Sequence, residues 1–150
     1  MNERKYASDI YSSWAQGTYL YVKWAERHQI NYYEMLVMYV LDTKGNLTQK
    51  AIGDYLGLPK QTINNVIRKW KAEGYAILKI SEKDKREKQV ELTEKGKYLA
   101  QKLLVPLYRA EEQVCKNIEE KMLVQMIETA DLFNLLFRRE MEKERENDGM

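Results

Sequence analysis

The 150-residue chain contains few of the residues that build metal sites, disulfides and tight turns: one cysteine, one histidine, two prolines and seven glycines. A single cysteine cannot form an intrachain disulfide, and Cys115 and His28 together cannot supply a zinc site. We therefore expect no metal and no cofactor. The scarcity of glycine and proline, with 32% charged residues, favours a helix-rich globular fold over an all-β sandwich.

Long apolar runs are absent as well. No run approaches the roughly 20 residues that a membrane-spanning helix needs, and residues 1–11 lack the basic start and apolar middle of a signal peptide. These absences predict a cytoplasmic protein without a membrane partner. The sequence also has no glycine-rich phosphate loop and no nucleophile elbow, so we expect no enzyme. Its length fits one domain.

Basic charge is concentrated in the middle of the chain, although the whole chain carries a net charge of only +2. Residues 1–47 are neutral, residues 48–88 carry a net charge of +5, and residues 89–150 carry −3. A concentrated basic segment is typical of a phosphate-binding surface, but charged helices that only maintain solubility produce the same pattern. Charge alone leaves both interpretations open.

The N-terminal part predicts two helices. Apolar and aromatic residues recur every three, four or seven positions over residues 7–28, which is the stripe of an amphipathic helix. Asn31 and Glu34 match a capping box, in which the Asn31 side chain accepts from first-turn amides and Glu34 reaches back to the backbone of Asn31. A second helix over residues 32–43 follows, and Gly45 ends it.

Two short helices separated by a tight turn come next. Thr48 is the predicted N-cap of the third helix, and Gly57 ends that helix. Pro59 suits the first position of a fourth helix over residues 59–73, because an N–H at that position would have no partner within the helix. Gly74 ends the fourth helix. This order of elements is typical of a helix-turn-helix.

The apolar period then changes from helical to alternating. Residues 75–80 and 89–93 predict a β-hairpin, and the connection 81–88 holds four basic side chains and projects as an exposed basic tip. Thr93 is the predicted N-cap of a fifth helix. A sixth helix begins near Glu119.

The fourth helix sorts its residues into two faces. Its apolar face, which we expect to pack, consists of Ile63, Val66, Ile67 and Trp70. Its polar face consists of Gln61, Asn64, Asn65 and Arg68. Asparagine and glutamine can pair with adenine edges, and arginine can pair with guanine. On an isolated helix such residues are more often merely solvated, but the preceding helix, the tight turn and the basic hairpin favour a winged helix that reads DNA.

Motifs across the middle of the chain resemble the MarR family of bacterial transcriptional regulators, and the resemblance extends over nearly the whole chain. Residues 47–58 (LTQKAIGDYLGL) are similar to the supporting helix and turn of the family, and residues 60–67 (KQTINNVI) are similar to its recognition helix. The most specific match is DKR at 84–86 followed by LTEKG at 92–96, which is similar to the wing signature and the entry into the next helix.

The resemblance implies roles for two wing residues, since by it Arg86 enters the minor groove and Asp84 orients Arg86. Two positions depart from the family pattern. Pro59 replaces a frequent serine and so removes a hydroxyl at the start of the recognition helix. Trp70 stands where leucine is commoner, which affects only the packing of that helix.

The resemblance also implies a domain organisation. Residues 1–150 form one MarR-like domain, in which 32–93 are the winged helix-turn-helix and 7–30 and 94–145 are dimerisation helices. The apolar stripes of the terminal helices agree, because they exceed what a small winged helix can cover, and exposed stripes of that size usually mark an interface. We expect a mainly α fold with a small β-hairpin wing. We also expect a homodimer that binds a pseudo-palindromic double-stranded DNA operator as a repressor, with an activator as the open alternative.

The candidate DNA-binding residues lie in the third helix, the fourth helix and the wing. They are Thr48, Lys50, Lys60, Gln61, Thr62, Asn64, Asn65, Arg68, Lys69, Asp84, Lys85, Arg86 and Lys88.

A small aromatic or phenolic effector is a further expectation, because regulators that resemble this chain often bind such molecules. Nine of the 16 aromatic residues fall within the first 39 positions. The candidate effector pocket consists of Trp14, Tyr21, Trp24 and Tyr39. An aromatic dimer core is the competing interpretation of this cluster.

Two other functions, redox sensing through Cys115 and protein interaction through the wing, are alternatives to regulation by DNA binding and a small effector. The acidic residues around Cys115 disfavour a reactive thiolate, which argues against a redox role. A dimeric winged-helix protein-interaction module, whose charged wing contacts another protein, would keep the same fold. That module predicts weak, sequence-independent DNA binding.

Overall fold

The computed structural model describes the backbone of residues 1–149 and the side chains of all of these except Asp148, so Met150 of the expected domain lies outside the described residues. Within residues 1–149 the chain forms six α-helices and three short β-strands. In chain order they are α1 (Glu3–Arg27), α2 (Tyr32–Lys44), β1 (Leu47–Thr48), α3 (Gln49–Leu56), α4 (Lys60–Glu73), β2 (Ala76–Ile80), β3 (Lys88–Leu92), α5 (Glu94–Lys116) and α6 (Glu120–Asp148). The mainly helical fold with a small β wing is confirmed.

The chain divides into two compact units, of which the first is Met1–Val105 and the second begins at Pro106. The first unit contains α1 to α4, the sheet and the start of α5. The second unit contains the rest of α5 and the whole of α6, which continues to Asp148, three residues beyond the expected end at residue 145.

The first helix begins four residues earlier than the apolar stripe predicted. The side chain of Asn2 accepts a hydrogen bond from the backbone N–H of Lys5 at 3.0 Å and so caps α1. The first turn is polar, and for that reason hydrophobic periodicity does not detect it. His28 is the C-cap of α1, where its Nδ1 lies 2.9 Å from the carbonyl oxygen of Trp24.

The start of α2 confirms half of the predicted capping box. The side-chain oxygen of Asn31 accepts from the backbone N–H groups of Tyr33 and Glu34, at 2.9 and 3.2 Å. The other half is wrong, because the carboxylate of Glu34 turns to α4 instead of to the backbone of Asn31. There it meets the indole N–H of Trp70, a buried donor that requires an acceptor.

The helix-turn-helix forms as the capping residues predict. Thr48 caps α3 by accepting from the N–H of Ala51 at 3.1 Å. Gly57 follows α3 with a φ of 61°, in the left-handed region that favours glycine. Pro59 is the N-cap of α4 and not its first helical residue, because its ψ of 146° is extended. The expected start of the fourth helix was therefore wrong by one residue.

The sheet contains the predicted hairpin and one strand that the sequence did not predict. Strand β3 lies in the centre of an antiparallel sheet of order β1-β3-β2. The hairpin register pairs Ala76 with Leu92 and Leu78 with Val90, and β1 pairs Leu47 with Val90. The two-residue β1 was missed because a segment that short carries no detectable alternation.

The entry into α5 is closely packed against the end of the recognition helix. The hydroxyl of Thr93 accepts from the N–H of Gly96 at 3.1 Å, which confirms Thr93 as a cap, and donates to the carbonyl of Gly74 at 2.6 Å. A Cβ on Gly96 would overlap the backbone carbonyl of Tyr75. Only glycine fits there without a backbone shift.

The apolar core lies in the winged helix, between α2, α3, α4 and the inner face of the sheet. Its largest fully buried side chains include Met38, Ile52, Ile63, Ile67, Trp70 and Val90. Along α6, in contrast, no residue between Glu120 and Glu146 is buried. The core therefore holds α4 against α2, α3 and the hairpin and leaves its other face in solvent.

Candidate nucleic-acid interface

The recognition helix α4 separates its apolar and polar residues as the sequence predicted. Ile63, Val66, Ile67 and Trp70 are all buried. Gln61, Asn65 and Arg68 are exposed, and Asn64 is half-buried. The core thus fixes one side of α4 and presents the opposite side as a polar ridge.

Three side chains of this ridge are hydrogen-bonded to one another. The amide nitrogen of Gln61 donates to Oδ1 of Asn65 at 2.9 Å, and Nη2 of Arg68 donates to the same oxygen at 3.0 Å. Residues 61, 65 and 68 are four and three positions apart and so share one stripe of the helix. Asn65 is the centre of a row that orders the two longer side chains before any ligand is present.

This row has the chemistry of base readout in a major groove. An arginine can donate two hydrogen bonds to guanine, and an asparagine or glutamine amide can pair with adenine. Because the two lone pairs of the Asn65 oxygen already accept from Gln61 and Arg68, pairing of Asn65 with adenine requires release of at least one of those bonds.

A groove of about 320 Å³ lies on the wing side of the ridge. Two cationic side chains, Arg68 and Lys71, line it together with two amides. The full lining is Gln49, Asn64, Ile67, Arg68, Lys71 and Leu78. Sequence reasoning missed Gln49 and Lys71, although Lys71 follows Arg68 by three positions and that spacing alone places both on the same side of α4.

A second groove, of about 360 Å³, lies on the α2 side of the ridge. Its lining is Asn31, Tyr33, Glu34, Thr62, Asn65, Val66 and Lys69. Here Lys69 is paired, since its Nζ lies 3.0 Å from each carboxylate oxygen of Glu34. The indole N–H of Trp70 donates to Oε1 of the same carboxylate at 2.8 Å.

Two of the lysines among the DNA-binding candidates form ion pairs within the chain. The hydrogen bond from Lys69 to Glu34 raises the pKa of Lys69 above its ordinary value, while partial burial acts in the opposite direction. Lys50 donates to Asp54 at 2.8 Å, and this hydrogen bond raises the pKa of Lys50. The Lys50 pair is exposed on both sides, so water and salt screen it, whereas Glu34 is largely buried.

The wing tip places the predicted acidic and basic residues side by side. The carboxylate of Asp84 accepts from the backbone N–H of Arg86 at 2.9 Å and from its Nε at 3.4 Å. Arg86, Lys85 and Lys88 are exposed. The connection 81–88 was expected to be exposed throughout, and for Ser81 this was wrong, because Ser81 is buried. Its backbone N–H donates to the carbonyl of Glu87 at 2.9 Å, which closes the tip.

The remaining DNA-binding candidates lie at the starts of the two helices. Lys60 is exposed at the first turn of α4, and Thr62 is half-buried in the groove on the α2 side. The hydroxyl of Thr48 is engaged as the cap of α3. Thr48 thus has a structural role that is independent of any DNA contact.

The four candidate effector residues lie on α1 and α2. Trp14 and Tyr21 are exposed, and Tyr39 is half-buried on α2. The ring of Trp24 stacks on His28, with ring centroids 4.4 Å apart and an interplanar angle of 18°. Neither groove beside α4 is lined by any of the four.

Comparison with known proteins bears directly on this arrangement. The sequence profile of the MarR family matches residues 28–87, the segment from the end of α1 to the wing tip. An uncharacterized HTH-type transcriptional regulator of Bacillus subtilis, YwoH, is 30% identical over 102 residues, which are 68% of this chain and 69% of the relative. The chain belongs to the MarR family.

Solved structures extend the likeness of this MarR-family chain to most of its length. The structure of a MarR family regulator from Neisseria meningitidis has a TM-score of 0.81 and 25% identity, with 95% of this chain and 99% of the other covered. A mutant of MepR from S. aureus, solved bound to an oligodeoxyribonucleotide, has a TM-score of 0.51 at 19% identity, with 88% and 96% covered. The latter likeness concerns the fold alone.

The chain is thus a MarR-family winged helix-turn-helix regulator of transcription. Of the helices in residues 1–149, none combines the length and the apolar character that crossing a membrane requires.

Proposed function

We propose that the protein acts as a homodimer on a pseudo-palindromic DNA operator, with one α4 in the major groove of each half-site and the wing at the adjacent minor groove. The observation that carries this proposal is the hydrogen-bonded row Gln61–Asn65–Arg68, held outward on a helix whose other face is buried. Its donors and acceptors match the edges of base pairs in a major groove.

The grooves on both sides of the ridge support the same orientation. A helix that lies in a major groove has one phosphodiester strand on each of its sides. The groove on the wing side, with Arg68 and Lys71, receives one strand, and the groove on the α2 side receives the other. The phosphate contacts then come from Lys50, Lys60, Thr62, Lys71, Lys85 and Lys88, while Arg86 reaches into the minor groove with Asp84 beside it.

The terminal helices support a dimer. Large apolar side chains are exposed along α6, and further ones lie along α1. Those of α6 are Met122, Val124, Met126, Ile127, Leu132, Leu135, Leu136, Phe137 and Met141. Large exposed apolar side chains in such numbers usually mark an interface, and a second copy of the chain presents the same residues, as a two-fold interface requires.

The half-sites of a two-fold dimer lie about one helical turn apart. We propose repression as the mode of action, since a dimer bound to an operator that overlaps a promoter excludes RNA polymerase. We further propose that a small aromatic effector regulates the dimer through Trp14, Tyr21, Trp24 and Tyr39. It does so only if its affinities for the DNA-binding and the free conformations differ.

Two arginine variants test the DNA-binding proposal. Arg68→Ala removes a base contact, so discrimination at one base pair of each half-site falls by about 1–3 kcal/mol. Arg86→Ala removes a charge from the wing, so binding weakens on every sequence. Arg4→Ala, which deletes an exposed arginine at the start of α1, is the charge-matched control and leaves both properties unchanged.

The measurement is a fluorescence-anisotropy titration of each variant against the operator and against single-base operator variants. If Arg68→Ala and Arg86→Ala both bind every duplex as the Arg4→Ala control does, α4 and the wing are not the reading surfaces and the proposal fails.

A further inference from the structure

The two grooves beside α4 differ in their electrostatics. The lining of the wing-side groove includes Arg68 and Lys71 and no acidic residue, whereas the lining of the α2-side groove includes Lys69 and the acid Glu34. A phosphodiester strand carries one negative charge per nucleotide, and cationic side chains that neutralise its phosphates supply much of the affinity for DNA. On the α2 side the lysine that lines the groove, Lys69, is already paired.

Glu34 is held in this position by two independent donors. Trp70 is only 1% exposed and its indole N–H donates to Oε1 at 2.8 Å, so moving the carboxylate away would leave a buried donor without an acceptor. Lys69 Nζ completes the contact at 3.0 Å. The Glu34 side chain is 12% exposed, whereas that of Lys69 is 52% exposed, so the acid is fixed and the lysine remains reachable from solvent.

We propose that the Glu34 carboxylate forms an ion pair with Lys69 in the free protein and thereby competes with the DNA phosphate that would otherwise bind Lys69. The competing ligand is a phosphodiester of the strand on the α2 side of the recognition helix. The inference rests on the proposed DNA binding of α4. It gives Glu34 control over one phosphate contact, a role separate from base readout by α4 and from the contacts of the wing.

The expected consequence is a lower affinity for DNA of every sequence. Phosphate contacts contribute to non-specific and to specific binding alike, while specific binding adds base contacts. Removing one phosphate contact per subunit therefore lowers both affinities by about the same factor and leaves their ratio unchanged. Glu34 thus reduces the absolute affinity and its dependence on salt without changing the sequence preference.

Glu34→Gln is the sharpest test, because the glutamine carbonyl still accepts from Trp70 while the negative charge is lost. We expect the variant to bind a duplex of shuffled sequence about two- to fivefold more tightly per bound subunit at low salt, the range for one ion-pair contact. The slope of log affinity against log salt concentration becomes steeper by about 0.9 per subunit. An unchanged slope overturns the inference.

The matched control is Glu26→Gln on α1. It deletes the same charge and releases a lysine in the same way, since Lys23 Nζ lies 2.7 Å from Glu26. Because a general gain in net positive charge would strengthen binding in both variants, the inference requires that Glu34→Gln alone steepens the slope. Equal gains in the two variants contradict it.

Lys69→Met provides a second test that does not depend on the folding of the Glu34 variant. If Glu34 occupies Lys69, Lys69→Met in the otherwise natural chain changes affinity for the shuffled duplex by less than about twofold. In combination with Glu34→Gln, the same change abolishes the gain. A loss of about tenfold from Lys69→Met alone, with a shallower salt slope, would mean that Lys69 already binds phosphate in the natural protein.

Failure of this inference and failure of the proposed function give different results. If the natural chain binds DNA in a salt-dependent manner but Glu34→Gln behaves as Glu26→Gln does, only the competition is disproved. If the natural chain and all variants fail to bind any duplex, the DNA-binding proposal is disproved and the competition with it.

Discussion

The winged helix and α6 use apolar residues in opposite ways. In the winged helix, residues such as Ile63 and Trp70 are buried within the chain. Along α6, comparable residues such as Ile127 and Phe137 are more than half exposed. Both regions have apolar residues at helical spacing, so spacing alone does not say whether a stripe packs within its own chain.

The difference indicates which contacts each region needs. The winged helix obtains its core from its own α2, α3, α4 and sheet, so it can hold the polar ridge of α4 in place within one subunit. The apolar side chains of α6 gain burial only against another surface, which in the proposed dimer is a second copy. Matched substitutions in the winged helix and in α6 test this difference.

The largest effect is expected from isoleucine truncation. Ile63→Ala opens a cavity at a site with 0% exposure and lowers the free energy of unfolding by about 2–5 kcal/mol. Ile127→Ala makes the same chemical change at a site with 59% exposure on α6. Urea unfolding at several protein concentrations distinguishes them, because dimer-dependent stability varies with concentration.

We expect Ile127→Ala to weaken association in sedimentation equilibrium and to make the urea midpoint more dependent on concentration. Ile63→Ala should lower stability at every concentration. Equal losses that do not depend on concentration would show that α6 packs within one chain, which contradicts the dimer interface.

A smaller loss is expected where the recognition helix meets α5. Gly96→Ala places a methyl group on the carbonyl of Tyr75, and we expect a loss of about 3 kcal/mol, at the upper end of the range for overpacked sites. Gly57→Ala is the matched control: its φ of 61° is strained for alanine, but a Cβ there meets nothing within 4 Å, so about 1 kcal/mol is lost. Thermal unfolding measures both, and a smaller loss for Gly96→Ala than for Gly57→Ala would contradict the close approach.

The smallest effects are expected from the helix caps. Thr48→Ala removes the cap of α3 inside the winged helix and lowers the free energy of unfolding by about 1 kcal/mol. Asn2→Ala removes the cap of α1 at the chain terminus, where the first turn can fray locally, so global stability changes by less than about 0.5 kcal/mol. Hydrogen exchange should show faster exchange only near Lys5 for Asn2→Ala. A global loss from Asn2→Ala would mean that the first turn of α1 unfolds together with the core.

Much of the fold was predictable because its signals are local. Asn31, Thr48 and Thr93 cap helices through bonds to residues two or three positions away, and Gly57 and Gly74 end helices through their own backbone conformation. The alternation in the hairpin is also local. The start of α1 was misplaced because its first turn is polar, and β1 was missed because its pairing with β3 joins residues more than 40 positions apart.

The candidate site was predictable only in part, for the same reason. The division of α4 into two faces follows from its periodicity and was confirmed. The contact of Glu34 with Lys69 and Trp70 joins residues 35 and 36 positions apart, and the local pattern assigned Glu34 to a capping box instead. Gln49 was missed because the wing-side groove exists only once α3, α4 and β2 are packed together, whereas the spacing of Lys71 from Arg68 was a local signal that could have identified Lys71.

The measurement that tests sequence-specific DNA binding most directly is a salt titration of the natural chain on DNA from upstream of its own gene, with a shuffled duplex of equal length as the control. We predict binding to the upstream DNA at least about 1,000-fold tighter than to the shuffled duplex, weakening steeply as salt rises. Equal weak binding to both, together with no enriched sequence after selection from random DNA, would contradict a sequence-specific regulator and favour the dimeric protein-interaction module.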